Sequence, residues 1–535
     1  MKRALWLIDK LFGRRIARQT RQHLADLANA PVRASRERTS ALLECLASEP
    51  GPDVHLGETE WGQPVRLSLP RLVQGHSIIT GGTGSGKTMA AGLLIEAILR
   101  VADQGLSFGV LDAKGDLFAR ALYLIAARLQ ELPEAQAQRL KERIVIIDFS
   151  STSDPATSYN IAAPWAGACL DVFAQSRVDT FEDLLPSGDG LSLRGGGIVK
   201  HVIKLMAELS VPFSYFDQIL GSEAFRQDLL AKSCDDDLKR YFHQHFPNEN
   251  RATIAAVRAR IAATLLNAPS IKAALSGRDT QDFRQLQDEG KIVLVNVGGP
   301  HIARTTARTL QSILLSDIRQ AIFHRTSEIM FLWVIDEAAQ LFRNRHVREA
   351  FVDILTLSRS YRSFCMYLTQ SLSTAVQEGD ALENFYTNIK WSLSLRCGTS
   401  RDVAFLEPAL PVTGQIQKAR RIPYAAPEFY RPSEERALML SRMSSLPDRV
   451  GWLWLKSLAG EALKITTRTL ALPGEAEFHE TVESLKADAE LGHRIPRSVY
   501  LADIVRREKE LAVGDAPSKL EELKKAYRRN QEVVQ

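Results

Sequence analysis

The residues best suited to chemistry lie in one run, Gly81-Gly82-Thr83-Gly84-Ser85-Gly86-Lys87-Thr88, which fits the phosphate-binding pattern G-x-x-x-x-G-K-[ST]. It follows the strand-like SIIT and opens the helical run TMAAGLLIEAILR, the context that a loop wrapping a phosphate requires. Glycines let the backbone curl with its N–H groups inward, and the following helix adds its positive end. The spacing offers Lys87 to the β- and γ-phosphates and the Thr88 hydroxyl to Mg2+, so the expected ligand is ATP with Mg2+. A second element, IMFLWVIDEAAQLF, is an apolar strand that delivers Asp336 and Glu337 to its C-terminal end, where open α/β sheets bind ligands. Asp336 is expected to hold Mg2+ through water, and Glu337 to orient and deprotonate an attacking water. Two acids after a strand also cap helices; their company with the glycine loop favours the chemical reading. Gln370 closes the next strand-like run, CMYLTQ. Its amide both donates and accepts, so it suits simultaneous contact with a γ-phosphate and a water. Phosphoryl transfer also gains from an arginine that neutralises the transition state. Arg359 and Arg362 precede the Gln370 strand, and Arg396 and Arg401 follow the next one; spacing does not choose among them, and each equally suits a surface ion pair.

These residues need a sheet to position them. Strand-like runs recur at FGVLD, IVIIDF, IVLVNV, MFLWVID, CMYLTQ and WSLSLR, and helical segments separate several of them. Continuous apolar strands alternating with helices predict an α/β core with a mainly parallel sheet. Between Pro164 and Gly290 the pattern changes: Ile198, Val202, Leu205, Met206 and Leu209 share one helical face, as do Ile254, Val257, Ile261 and Leu265. An all-α domain inserted at 166–285 is therefore expected, splitting the core into 55–165 and 286–475. Within the first part, the stretch His55 to Leu72 alternates around Gly57, Gly62 and Pro64 and predicts a small hairpin. Residues 476–535 read as a charged helical tail and 1–54 as a basic arm.

The chain has 535 residues, too many for one ordinary core, and the composition of a soluble globular protein, with 45% hydrophobic and 24% charged residues. Its formal net charge of +5 is unevenly spread. Residues 1–40 hold ten Lys/Arg against Asp9, Asp26 and Glu37, a net +7 that leaves the remainder near −2. Leu5, Ile8, Phe12 and Ile16 stripe one side of that arm, opposite Arg3, Lys10, Arg14, Arg18 and Arg21. Such a segment suits an anionic membrane surface, a partner groove, nucleic acid, or packing on its own domain. No apolar run approaches the roughly 20 residues of a membrane span, and Cys45, Cys169, Cys234, Cys365 and Cys397 have no metal-binding spacing. A cytoplasmic location, with at most peripheral membrane contact, is expected.

With glycine loop, DEAA and strand-end glutamine in that order, the chain resembles the HerA/FtsK superfamily of ring motors, and within it the TraG/TraD type of conjugative coupling protein. HSIITGGTGSGKT, LDAKGDL around Asp112 and Lys114, SYNIAAP around Asn160 and KIVLVNV carry the resemblance, over roughly 55–470. It implies a RecA-like P-loop ATPase core and a homo-hexamer that translocates DNA. It also implies that Lys87 and Thr88 bind nucleotide and Mg2+, that Asp336 and Glu337 form the second acidic motif, that Gln370 senses the γ-phosphate, and that Arg359 is the arginine finger acting in trans. The helical insertion resembles the all-α domain that faces relaxosome and cargo DNA. Coupling proteins anchored in membranes carry N-terminal transmembrane helices where this sequence has its basic arm, which implies a soluble member that docks on secretion-channel proteins, or a relative used in antiphage or chromosomal DNA handling.

No sequence-reading motif is visible, so DNA contact is expected to be sequence-independent phosphate tracking. Arg194, Lys200, Arg251, Arg258 and Arg260 are candidates to line a channel, and equally suit solvated helix faces. The alternatives to a motor are an ATP-binding adaptor that recruits relaxase or other protein cargo, and a HerA-like ATPase that regulates a partner effector.

Overall fold

The computed structural model of the chain describes residues 33, 35–101, 105–151, 154–182, 193–266, 268–277, 280–338, 352–371, 385–398, 400–412, 418, 429–456, 461–470, 475–488 and 491. The amphipathic stripe of the basic arm, the end of the charged tail and the loop before Arg194 lie outside them. Among the described residues the strands are, in chain order, β1 (Asp53–Thr59), β2 (Pro64–Ser68), β3 (His76–Thr80), β4 (Leu106–Asp112), β5 (Ile144–Asp148), β6 (Ile292–Asn296), β7 (Met330–Ile335), β8 (Ser363–Thr369), β9 (Ile389–Ser394), β10 (Val450–Leu455) and β11 (Leu463–Thr467). The chain forms two compact units, one of residues 1–97, 369–373 and 389–470, the other of 98–368, 374–388 and 471–535.

In the first unit the strand order is β2-β1-β11-β10-β9-β3. The expected hairpin is β1–β2, antiparallel, with Val54 opposite Leu67. Gly57 in β1 is required by close approach, because a Cβ there would lie 2.0 Å from the Thr466 carbonyl oxygen. β3 runs parallel to β9, Ile79 opposite Leu393, while β9, β10, β11 and β1 pair antiparallel. The Lys87–Arg100 helix follows β3 directly, and Ala90, Ala91, Leu93, Leu94 and Ile95 of it are buried.

In the second unit the order is β8-β7-β4-β6-β5, and every pair is parallel. β4, β5, β6 and β8 are buried along their whole length, which explains why they read as continuous apolar runs rather than alternating ones. Gly109 sits in mid-strand because Trp333 of β7 fills its place: a Cβ there would meet the indole at 2.4 Å, leaving no room even for a methyl. The Asp116–Glu131 helix buries Leu117, Phe118, Ala121, Leu122, Leu124 and Ile125 on one side.

Between β5 and β6 the described regular elements are all helices, with Leu170–Glu182, Leu193–Glu208 and Arg251–Ile261 the longest. Buried Asn160 fastens the entry to this region: its Oδ1 accepts the N–H groups of Ala162 (3.0 Å) and Phe213 (3.2 Å), and its Nδ2 donates to the Val211 carbonyl (3.3 Å). Buried Arg177 donates to Asp317 at 2.7 Å and to the Ile161 carbonyl at 2.8 Å, and Tyr159 donates to the other Asp317 oxygen at 2.7 Å. Asp317 lies on the Arg304–Phe323 helix that leads into β7, so the helical segment is tied to the element preceding the acidic pair. No described helix is long and apolar enough to cross a membrane.

Candidate active site

In the first unit the glycine loop leaves the end of β3 between two other strand ends. Gly81 donates its N–H to the Thr369 carbonyl at 3.1 Å and Gly82 donates to the Arg396 carbonyl at 2.6 Å. Gly84 and Gly86 have φ of +75° and +105°, the left-handed region that favours glycine. A Cβ at Gly81 would sit 2.4 Å from Ser85 Oγ, and one at Gly86 3.0 Å from Arg449 Cγ. Glycine is therefore favoured at 81, 84 and 86, which lets the backbone curl as a cradle for phosphate does. Lys87 is buried and its ammonium folds back on the loop, donating to the carbonyls of Gly81 (2.7 Å) and Gly82 (3.0 Å). Thr83 and Gly84 are exposed and Thr88 is half-buried on the first turn of the helix, whose N–H groups have no carbonyl of their own helix to meet. Gln370 follows the last residue of β8 and is half-buried; since the Thr369 carbonyl bonds Gly81, the glutamine sits one residue from the root of the loop.

The loop is braced by a residue that motif reading passed over. Arg449, with φ of +67°, donates its backbone N–H to the Ser85 carbonyl at 2.9 Å and accepts from Thr467 N–H at 2.8 Å, while its guanidinium bonds Thr469. Only the run VGWLWL after it, read as a strand, would have flagged the turn. Arg396 is held by Asp448 at 2.8 Å.

In the second unit the ends of β4 and β7 carry three buried carboxylates, Asp112, Asp336 and Glu337. Asp112 is satisfied by backbone, accepting from Lys114 N–H at 2.7 Å and Phe118 N–H at 2.8 Å, and Gly115 at φ +96° turns the chain into the following helix. The N–H of Asp336 donates to the Leu111 carbonyl at 3.0 Å, and its carbonyl accepts from buried Gln311 at 2.8 Å. Glu337 has φ of +53° and its carboxylate takes an ion pair from Lys114. Neither Gln311 nor Lys114 was assigned a role by sequence. The exposed Arg359 lies on the turn Ser358–Tyr361 and forms no ion pair among the described residues, whereas Arg362 is bound to Glu328 at 2.6 Å. Among the channel candidates, Arg258 is committed to Asp217 by two bonds of 2.7 and 3.0 Å, and Lys200 approaches Asp171 at 4.0 Å; Arg194 and Arg251 are exposed.

Among the described residues no group of three or more His, Cys, Asp or Glu is placed to hold a metal ion directly, so an acid such as Asp336 would meet a cation only through water. Burial pushes the Asp336 carboxyl up to about 7, with the negative charges of Asp112 and Glu337 adding to the effect and Lys114 opposing it. Burial also raises Asp112, against the backbone N–H groups it accepts. Because the folded Asp336 holds its proton more tightly than the unfolded one, its contribution to stability is complete below about pH 4 and is lost as pH rises through about 7. In EDTA, the melting temperature is expected to fall between pH 5 and 8, by an amount on the order of a few kcal/mol in stability. Asp336→Asn should flatten this part of the profile and leave the metal-free variant the more stable of the two at pH 8; a wild-type profile that is flat or rises across the window would refute the assignment.

Residues 54–318 match the family model described as the central domain of the helicase HerA. Over that stretch, which holds the glycine loop, the chain is of the HerA helicase kind. Among solved structures, VirB4 of Thermoanaerobacter pseudethanolicus is similar with a TM-score of 0.52 at 12% identity, over 79% of this chain and 98% of that one. The bacterial conjugative coupling protein TrwB in an unbound form gives a TM-score of 0.49 at 15% identity, over 81% of this chain and 92% of that one. TrwB in complex with ADP and Mg2+ gives 0.46 at 14%, with coverage of 81% and 92%. No curated protein matches the sequence. The family and the VirB4 likeness agree with the α/β architecture that the apolar runs predict.

Proposed function

We propose that this chain hydrolyses ATP to drive DNA, as a ring motor of the coupling-protein kind in conjugative transfer. The observation that carries the reading is the glycine-rich cradle with Lys87 folded onto its own carbonyls, rooted beside Gln370. The membership of residues 54–318 in the HerA helicase family supports it. In this reading Gly81 to Thr88 would bind the triphosphate, with Lys87 countering its charge, and Thr88 and, through water, Asp336 would hold Mg2+. The metal supplies charge neutralisation to the transferring phosphoryl group. Glu337 takes the proton of the attacking water, Gln370 holds that water and the γ-phosphate together, and Arg359 enters the site of a neighbouring subunit. The products are ADP and phosphate.

The assembly is a homo-hexamer in the cytoplasm that contacts DNA through its phosphates. Relaxase or secretion-channel proteins are its partners. A HerA-like ATPase that regulates a partner effector in antiphage defence is the second reading, favoured by the identity of the matched family. ATPase rates with and without single- and double-stranded DNA, measured alongside sizing in ATP, test the proposal. A hexamer with DNA-stimulated turnover supports the motor. Tight ATP binding without turnover would replace it by an adaptor for protein cargo, and turnover only with a second protein would replace it by the effector complex.

A further inference from the structure

Proposed hydrolysis turns on Glu337, and the second unit gives that residue a partner no motif assigns. Lys114 donates its ammonium to Glu337 Oε1 across a sequence separation of 223 residues. The Glu337 side chain is only 7% exposed while that of Lys114 is 41% exposed, so a buried carboxylate is matched by a cation that reaches it from the solvent side. The Lys114 backbone is held on both sides. Its N–H is taken by Asp112 at 2.7 Å, and the loop after β6 lies against it so closely that a Cβ on Gly298 would meet the Ala113 carbonyl oxygen at 2.2 Å and Lys114 Cα at 2.6 Å. Glu337 is itself in the left-handed region at φ +53°, a conformation that a non-glycine residue keeps only where its surroundings hold it.

We infer that Lys114 is a positioning residue: it holds the Glu337 carboxylate in the orientation from which the proton of the attacking water is taken, and balances its charge beside Asp112 and Asp336. The three carboxylates are buried together, with Asp112 answered by backbone N–H groups, and like charges gathered out of water repel strongly unless a cation is supplied. A lysine suits this place because its flexible stem adjusts to a carboxylate whose backbone is fixed. The inference rests on the hydrolytic reading of Glu337.

The test compares kcat, KM for ATP and affinity for a non-hydrolysable ATP analogue in wild type, Lys114→Met, Lys114→Arg, Glu337→Gln and the Lys114→Met/Glu337→Gln double variant. Loss of a charge-assisted bond to the base should lower kcat by about ten-fold or more in Lys114→Met, with analogue affinity within about two-fold. Lys114→Arg should recover part of the rate. In the Glu337→Gln background, Lys114→Met should cost nothing further, which a merely structural lysine would not reproduce. Wild-type or raised turnover in Lys114→Met, or equal losses in both backgrounds, would overturn the inference. Should Lys114→Met melt below the assay temperature, Lys114→Gln is read by the same criteria. A wild-type chain without turnover overturns the hydrolytic reading and this inference with it; wild-type turnover with an indifferent lysine overturns the inference alone.

Discussion

Replacing Glu337 by glutamine is expected to lower ATP turnover by about 10²- to 10⁴-fold, the usual contribution of a positioned general base, while ATP still binds. The amide keeps the size and one acceptor of the carboxylate but cannot take a proton. Glu337 lies at the end of β7 and belongs to no phosphate-wrapping segment, so uniform binding should survive and kcat should carry the loss. The substitution also removes one negative charge from a buried group of three. The variant should therefore be no less stable than wild type, or slightly more so in the absence of Mg2+. Single-turnover hydrolysis measured beside equilibrium binding of labelled ATP separates the two effects. Turnover at the wild-type rate would remove Glu337 from the chemistry, and loss of binding in proportion to rate would make it a structural carboxylate.

Features legible in the sequence were those written in neighbouring residues. Runs such as IVIID and SFCMYLT are buried from end to end, so their apolar continuity announced parallel strands directly. The glycine loop was legible for a related reason, since the positive φ at Gly84 and Gly86 and the close contact at Gly81 favour glycine at those points and the sequence supplies it there. β10 and β11 were not individually read. Trp454 and Lys464 face partly outward in antiparallel pairs, and such short mixed strands give a weak pattern. Pairings between distant residues left no mark at all. Lys114 and Glu337 each stood inside a recognised phrase, yet nothing in either phrase points to the other. The Arg449 brace on Ser85 arises from a turn whose left-handed residue is an arginine rather than the glycine that would have signalled it. The arginine candidates, equivalent by spacing, differ in their surroundings: Glu328 holds Arg362 and Asp448 holds Arg396, Arg359 is exposed, and the side chain of Arg401 lies outside those described.

Lys87→Ala should weaken nucleotide binding strongly while the fold survives. The ammonium is already out of bulk water, held by two loop carbonyls at 2.7 and 3.0 Å, so an arriving phosphate meets a cation whose desolvation cost was met during folding. Charge-assisted bonds of this sort contribute about 1.5–3 kcal/mol each, equivalent to roughly ten- to a hundred-fold in affinity. Turnover should fall further than affinity, by about 10²-fold or more, because charge on the transferring group and leaving oxygen grows toward the transition state. The stability cost is expected to be small, about 1 kcal/mol, since the vacated carbonyls of Gly81 and Gly82 can accept water instead. Lys87→Met, which keeps the stem and removes only the charge, should reproduce the loss and so distinguish electrostatics from packing. Calorimetric titration with an ATP analogue, alongside thermal melts, provides the reading: a folded Lys87→Ala protein with wild-type affinity would mean that the glycine curl is a structural turn and that the phosphate is bound elsewhere.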